Sequence, residues 1–409
     1  MSEELLYVAT NYIPKLEAIL KDNIAAFWIS KSLDKKNGGY IINFDKDGKP
    51  NGETNKGLVT QARLLWLFAR LAGAGFGDQY LKAADLGYKF LKNKMWDSDN
   101  GGFYWEVNAT GNKKLRPRKH LYGQAFALYA LSEYYLASEK QEVIVLAHDL
   151  FNLLESWAYD DTHGGYVEFF NEDWSRPPAD ADNYMGVETG LKLMNTHLHL
   201  MEALTIFYKA QPSQISHKRL LELITIQSNS VVRKDAGVCT DKYDDDWTPR
   251  LDVQYARVSY GHDLENIWLL RRACSAGGVS DYPLLNLYQT LFASSLKYGY
   301  DKSEGGFFNS GRIGQPADDR NKTWWVQAEA IVSALDIYCL TKQPIYLSVF
   351  EETFSFIENF MVDRANGEWH NTLTPRNAIV GNKADEWKAG YHSGRSMIEC
   401  IEILKQARA

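Results

Sequence analysis

The sequence predicts an all-α chain closed into an (α/α)6 barrel, and three observations lead there. A Gly-Gly-aromatic signal recurs six times, each interval between signals holds two helical stretches, and neither end of the series reads as the polar cap that an open array needs.

The signal stands as Asn37-Gly38-Gly39-Tyr40, Asn100-Gly101-Gly102-Phe103, His163-Gly164-Gly165-Tyr166 and Glu304-Gly305-Gly306-Phe307, with degenerate copies at Ala236-Gly237-Val238 and Asn366-Gly367-Glu368-Trp369. Counted at the first Gly, the copies lie 63, 63, 73, 68 and 62 residues apart. One match would mean little; six at this spacing define a repeat. Each signal is followed by a short hairpin or extended loop, such as Tyr40 to Phe44 and the turn Asp45-Lys46-Asp47-Gly48. The rest of each repeat is helical in pattern. Leu64 to Leu71 with Tyr80 to Leu91, Ala125 to Tyr135 with Val143 to Trp157, and Leu198 to Tyr208 with Leu220 to Val231 carry apolar residues at three- and four-residue steps. Two per repeat gives about twelve helices. The helices that follow the Gly-Gly hairpins are expected to form the inner ring, with their N-termini at a pocket on the rim.

Composition sets limits on function. The 409 residues contain no Pro-, Ser- or Gln-rich linker, so one catalytic domain over 1–409 is expected. A net charge of -7 without clustered Lys and Arg argues against nucleic acid as a partner. No apolar run reaches the roughly 18 residues of a membrane span, and residues 1–30 lack a signal-peptide pattern, so a cytoplasmic protein with no membrane partner is expected. Cys239, Cys274, Cys339 and Cys400 form no C-x-x-C pair, which suggests neither a zinc site nor a disulfide framework. Several of the 12 Trp sit in polar, Gly-rich segments, which suits a sugar whose C–H face packs on an aromatic ring while its hydroxyls hydrogen-bond. The chain is therefore expected to act on a small sugar, as a monomer or weak homo-oligomer.

In this register the chemistry collects at one phase of the repeat. Arg63 lies 25 residues after Gly38, His120 and Tyr122 lie 19 and 21 after Gly101, and Asn195 and His199 lie 31 and 35 after Gly164. His262 lies 25 after Gly237, Trp325 and Glu329 lie 20 and 24 after Gly305, and His392 lies 25 after Gly367. Alone, each histidine reads as readily as a structural residue; their common phase points to function. Helical spacing puts Asn195 and His199 on one face, with His197 turned away and structural, and likewise pairs His262 with Glu265 and Trp325 with Glu329. Histidines beside carboxylates admit a metal site, but no local ligand pair such as H-E-x-x-H is present. Proton transfer is the competing reading, since imidazole titrates near neutrality.

Four of these segments carry a resemblance. Lys192 to Glu202 (KLMNTHLHLME), Ser259 to Trp268 (SYGHDLENIW), Trp324 to Glu329 (WWVQAE) and Asp385 to Arg395 (DEWKAGYHSGR) resemble, in order and over nearly the whole chain, the motifs of the N-acylglucosamine 2-epimerase superfamily. The similarity is greatest to its cellobiose 2-epimerase branch, with mannose 2-epimerases close by. The resemblance implies an (α/α)6 barrel that interconverts the reducing-end glucose of β-1,4-linked disaccharides with mannose, without metal or other cofactor. It matches His262 and His392 to the two acid/base histidines, Arg63, Asn195, His199 and Glu265 to polar groups around the sugar oxygens, and Trp325 and Trp387 to aromatic contacts. Tyr122, Trp268 and Glu329 join the expected substrate-binding set. The run from Trp247 to Ser259 looks longer than is usual in the family and is expected to border the pocket; the resemblance implies that mannose 2-epimerases carry an extended loop there that covers a monosaccharide, so a D-mannose/D-glucose 2-epimerase acting on monosaccharides is the alternative.

Inverting C2 requires ring opening, removal of the proton α to the aldehyde, and its return to the other face of a cis-enediolate. Two histidines can flank that intermediate as base and conjugate acid, with Arg63 stabilising the oxyanion, Glu265 fixing the tautomer of His262, and His199 either transferring a proton in ring opening or holding O1 or O2. The same apparatus permits aldose–ketose isomerisation. A glycoside hydrolase would need paired carboxylates where histidines stand, and a non-catalytic sugar-binding module would leave the histidine pair unexplained.

Overall fold

A computed structural model describes residues 3–52 and 54–406; residues 1, 2, 53 and 407–409 of the expected domain lie outside the described residues. In chain order the helices are α1 (Glu3–Ala18), α2 (Ala26–Lys31), α3 (Leu58–Gly73), α4 (Asp78–Phe90), α5 (Leu121–Ser138), α6 (Gln141–Leu153), α7 (Met194–Ala210), α8 (Gln214–Thr225), α9 (Tyr260–Gly277), α10 (Leu285–Gly299), α11 (Trp324–Thr341), α12 (Pro344–Phe356) and α13 (Tyr391–Gln406). The odd-numbered helices from α3 to α13 touch in succession and α13 returns to α3, so the inner ring closes. Outside it, α4 packs on α3, α6 on α5, α8 on α7, α10 on α9 and α12 on α11. The sixth pair joins α13 to α1, which is why no capping repeat is needed. This is the (α/α)6 barrel that the repeat predicts, and no helix among the described residues is long and apolar enough to cross a membrane.

Inner and outer helices differ in sequence for a physical reason. α5 and α11 are buried from Leu121 to Tyr134 and, apart from Trp325, from Trp324 to Tyr338, because neighbours surround them. Outer α4 buries only one face, through Tyr80, Ala83, Ala84, Gly87, Tyr88 and Phe90.

The Gly-Gly turns fix how each inner helix begins. At Gly39 φ is +67°, and a Cβ there would stand 2.7 Å from Gln61 Oε1, so only glycine fits. That closeness lets the Gln61 amide accept from Tyr40 N–H and donate to Tyr40 C=O, both at 2.8 Å. Gln124 does the same with Phe103 and Gln327 with Phe307. In the third repeat His197 takes this place, accepting from Tyr166 N–H at 2.9 Å, and in the fourth Asp263 accepts from Cys239 N–H at 2.8 Å. In five of the six repeats a mostly buried ion pair then ties the turn to the segment leading into the inner helix: Lys56–Asp34, Lys119–Asp97, Lys192–Asp160, Lys322–Asp301 and Lys383–Asp363, at 2.6 to 2.9 Å. Lys119 and Asp97 have no exposed side-chain surface. Lys119→Ala is accordingly expected to cost about 3–5 kcal/mol, since it leaves a buried carboxylate uncompensated, and chemical unfolding will read this directly.

Candidate active site

The N-terminal turns of the inner helices converge on a cavity of about 150 Å³ lined by Arg63, Tyr122, His199, His262, Glu265, Trp324, Trp325, Trp387 and His392. Helix N-termini carry partial positive charge, so their convergence favours an oxyanion in this space. His262 and His392 each lie in the first turn of their helices, α9 and α13. The Trp325 ring touches both imidazoles, its centroid 4.8 Å from that of His262 and 5.8 Å from that of His392. Gly261 makes this approach possible, because a Cβ there would meet the indole at 2.4 Å.

The histidines are held unequally. His392 Nδ1 lies 2.7 Å from Glu329 Oε1, and His199 Nδ1 lies 3.0 Å from Glu202 Oε2, so each donates its Nδ1 proton to a carboxylate and keeps Nε2 for the cavity. No hydrogen bond from a described residue reaches the His262 ring. Arg63 is clamped by the Trp387 carbonyl at 2.5 Å and the Tyr122 hydroxyl at 3.1 Å, with its guanidinium over the rings of Phe126 and Tyr391. Such a cation is already oriented before any charge develops on a ligand.

Beneath the cavity one guanidinium gathers three carboxylates. Arg395 pairs with Glu202, with Glu265, and with Glu329 at 2.8 Å. Burial opposes ionisation of Glu202, yet Arg395 and donors from His199 and Tyr391 hold its pKa down at about 2. Glu265 shares the same cation without those extra donors, so burial and the neighbouring Glu329 push it up to about 7. Burial lowers all three cavity histidines: His262 to about 4, His199 below its ordinary value, and His392 well below, the last helped by Arg63 and Arg395. Neutral imidazoles are thus favoured in this cavity. Glu265, Glu329 and His392 place ligand atoms within 4.8 Å of one another, the spacing of a metal site, but the Arg395 guanidinium already answers the two carboxylates.

Three of the expected substrate-binding residues do not reach the cavity wall. Glu329 lies below it as the partner of His392, and Trp268 donates its indole N–H to Glu329 at 2.9 Å. Asn195 Oδ1 is buried without a partner. Glu265 does not bond His262 as spacing suggests: its carboxylate turns toward Arg395 because a buried negative charge needs that cation more than a neutral imidazole does. The run from Trp247 to Ser259 supplies no residue to the wall either; Trp247 donates to the Gly164 carbonyl and packs on His197, and Ser259 caps α9. His120 caps α5, its Nδ1 accepting from Tyr122 N–H. Sequence reasoning missed Trp324, Glu202, Tyr391 and Arg395. A signal existed for two: the i, i+3 step from His262 to Glu265 leads equally from His199 to Glu202 and from His392 to Arg395.

Residues 39–395 match the N-acylglucosamine 2-epimerase (GlcNAc 2-epimerase) family. The chain belongs to this family. The chain is 35% identical over 396 residues to the cellobiose 2-epimerase of Dictyoglomus turgidum, covering 95% of this chain and 96% of that one. It superposes on the structure of cellobiose 2-epimerase from Spirochaeta thermophila with a TM-score of 0.89, 31% identity and full coverage of both chains. A D-mannose isomerase from Marinomonas mediterranea is 26% identical, with 95% and 96% covered. The family and these relatives make the chain an isomerase of the epimerase type, as its motifs imply.

Proposed function

We propose that the enzyme inverts C2 of the reducing-end sugar of β-1,4-linked disaccharides, interconverting glucose and mannose configurations through a cis-enediolate. The observation that carries this reading is the pair of imidazoles from α9 and α13 meeting at one indole, beside a fixed arginine. A hydrolase would need two carboxylates flanking the bond; among the described residues the wall offers Glu265 alone, and it is tied to Arg395.

The sugar ring opens as one imidazole takes the O1 proton and the ring oxygen takes one from solvent. That loads an acid in a cavity where burial otherwise favours neutral rings. The second imidazole then removes the C2 proton, Arg63 stabilises the oxyanion, and the loaded imidazole returns a proton to the opposite face. Ring closure restores the starting proton count. His199 holds a sugar oxygen, and Trp325 and Trp387 pack on the ring. A cavity of about 150 Å³ has room for about one sugar ring, so in this reading the second residue of the disaccharide lies outside it.

Incubation with cellobiose, mannobiose, glucose, mannose and N-acetylglucosamine in heavy water, chelator present, tests this. Deuterium is expected at C2 of the epimeric disaccharide. Unlabelled epimer, ketose as the main product, or activity lost to the chelator would overturn the mechanism; turnover of free hexoses alone would move the substrate to the monosaccharide.

A further inference from the structure

The inner helices run from the site above to a second opening at their C-terminal ends, and there the barrel holds another cavity, of about 360 Å³. Nothing in the proposed reaction uses it. Its walls come from the C-terminal halves of α3, α5, α7, α9 and α13. Trp66 and Tyr129 stack there with ring centroids 5.5 Å apart, and Trp268 stands on the same wall. Tyr129 is 5% exposed, and its hydroxyl has no hydrogen-bond partner among the described residues; the Trp66 indole N–H is buried without one. The enclosed Trp66 N–H is out of a ligand's reach, but the Tyr129 hydroxyl beside two indole faces is a polar group that a ligand in this cavity can answer.

Charge decides the class of ligand. Glu202 is answered from above by Arg395. The remaining carboxylates on the wall, Glu133, Glu399 and Glu402, face Arg70, Arg272 and Lys209, so the wall is balanced. Arg70 already pairs with Glu402 at 2.5 Å and Arg272 with Glu399 at 3.1 Å. An ion would have to break those pairs, whereas hydroxyls can donate to the carboxylates and accept from the guanidinium groups without disturbing them. Two wall residues also lead upward: Glu202 holds His199, and Trp268 holds the carboxylate that holds His392.

We propose that this lower cavity is a second binding site for a neutral, hydroxyl-rich molecule of the saccharide or polyol class, and that its occupancy is felt at the upper site through Glu202 and Trp268. Calorimetric titration with cellobiose and with myo-inositol tests it, and binding needs no turnover to be read. Wild type is expected to show two classes of cellobiose site. Ile206→Trp, which places an indole on the half-buried wall, is expected to weaken one class at least about tenfold while turnover without added polyol stays within about twofold. Tyr129→Phe removes only the hydroxyl, tests the same class if the first variant does not fold, and is expected to weaken it about tenfold. Myo-inositol is expected to shift the KM or pH profile of wild type and of neither variant. A single class of site in wild type, unchanged binding in the folded variants, or binding of spermidine where neither carbohydrate binds would overturn the proposal.

Discussion

His262→Ala and His392→Ala are each expected to lower epimerisation by at least about 10²–10⁴-fold while leaving the unfolding midpoint near that of wild type. The fold is spared for a different reason at each position. No described residue hydrogen-bonds the His262 ring, so its removal orphans nothing. His392 gives up one bond to Glu329 Oε1, which still accepts from Arg395 at 2.8 Å. The two variants are also expected to differ from each other. An imidazole can exchange only a C2 proton that points toward it, so each variant is expected to retain a slow C2 exchange with heavy water, limited by unassisted ring opening, for one epimer, and for the opposite epimer in the two cases. Proton NMR of each labelled disaccharide, with circular dichroism as the control for folding, measures both effects. Substantial turnover in either variant would remove that residue from acid/base work.

The phase of the repeat is enough to group Arg63, Tyr122, His199, His262, Trp325 and His392, because the inner helices all begin at a similar distance from their Gly-Gly turns. It does not tell which residues of that phase face the cavity and which lie one turn beneath. Glu329 and Trp268 share the phase or the motif, yet they sit below the floor, where α9 and α11 meet. Spacing along one helix shows which residues share a face; it does not show what the next helix brings across. Thus Glu265, three residues from His262, is claimed by Arg395 of α13, and Glu329 of α11 serves His392. The Lys–Asp pairs are hidden in the sequence for a related reason: Lys119 lies 22 residues from Asp97, and only the closed turn places them 2.7 Å apart.

Arg395 is where this hidden layer can be tested most severely. Arg395→Met keeps much of the bulk that packs against Trp268 and Tyr391, but leaves Glu202, Glu265 and Glu329 without their common cation. A loss of about 3–5 kcal/mol is expected near neutral pH. Its pH dependence follows from the direction of each shift. In wild type Glu202 sits at about 2 against an ordinary 4.5, so its contribution is full above the ordinary value and fades as the pH falls toward 2. In the variant burial raises all three carboxyl groups above their unfolded values. The folded state then binds more protons than the unfolded one, and stability falls as the pH rises from about 4.5. Urea unfolding between pH 4 and 8 is therefore expected to show the defect growing with pH, and parallel curves for the two proteins would refute the shared-cation account. Turnover is expected to drop at least about 100-fold at pH 7, because a protonated Glu329 no longer demands the Nδ1 proton of His392, and the tautomer that points Nε2 at the sugar is no longer enforced.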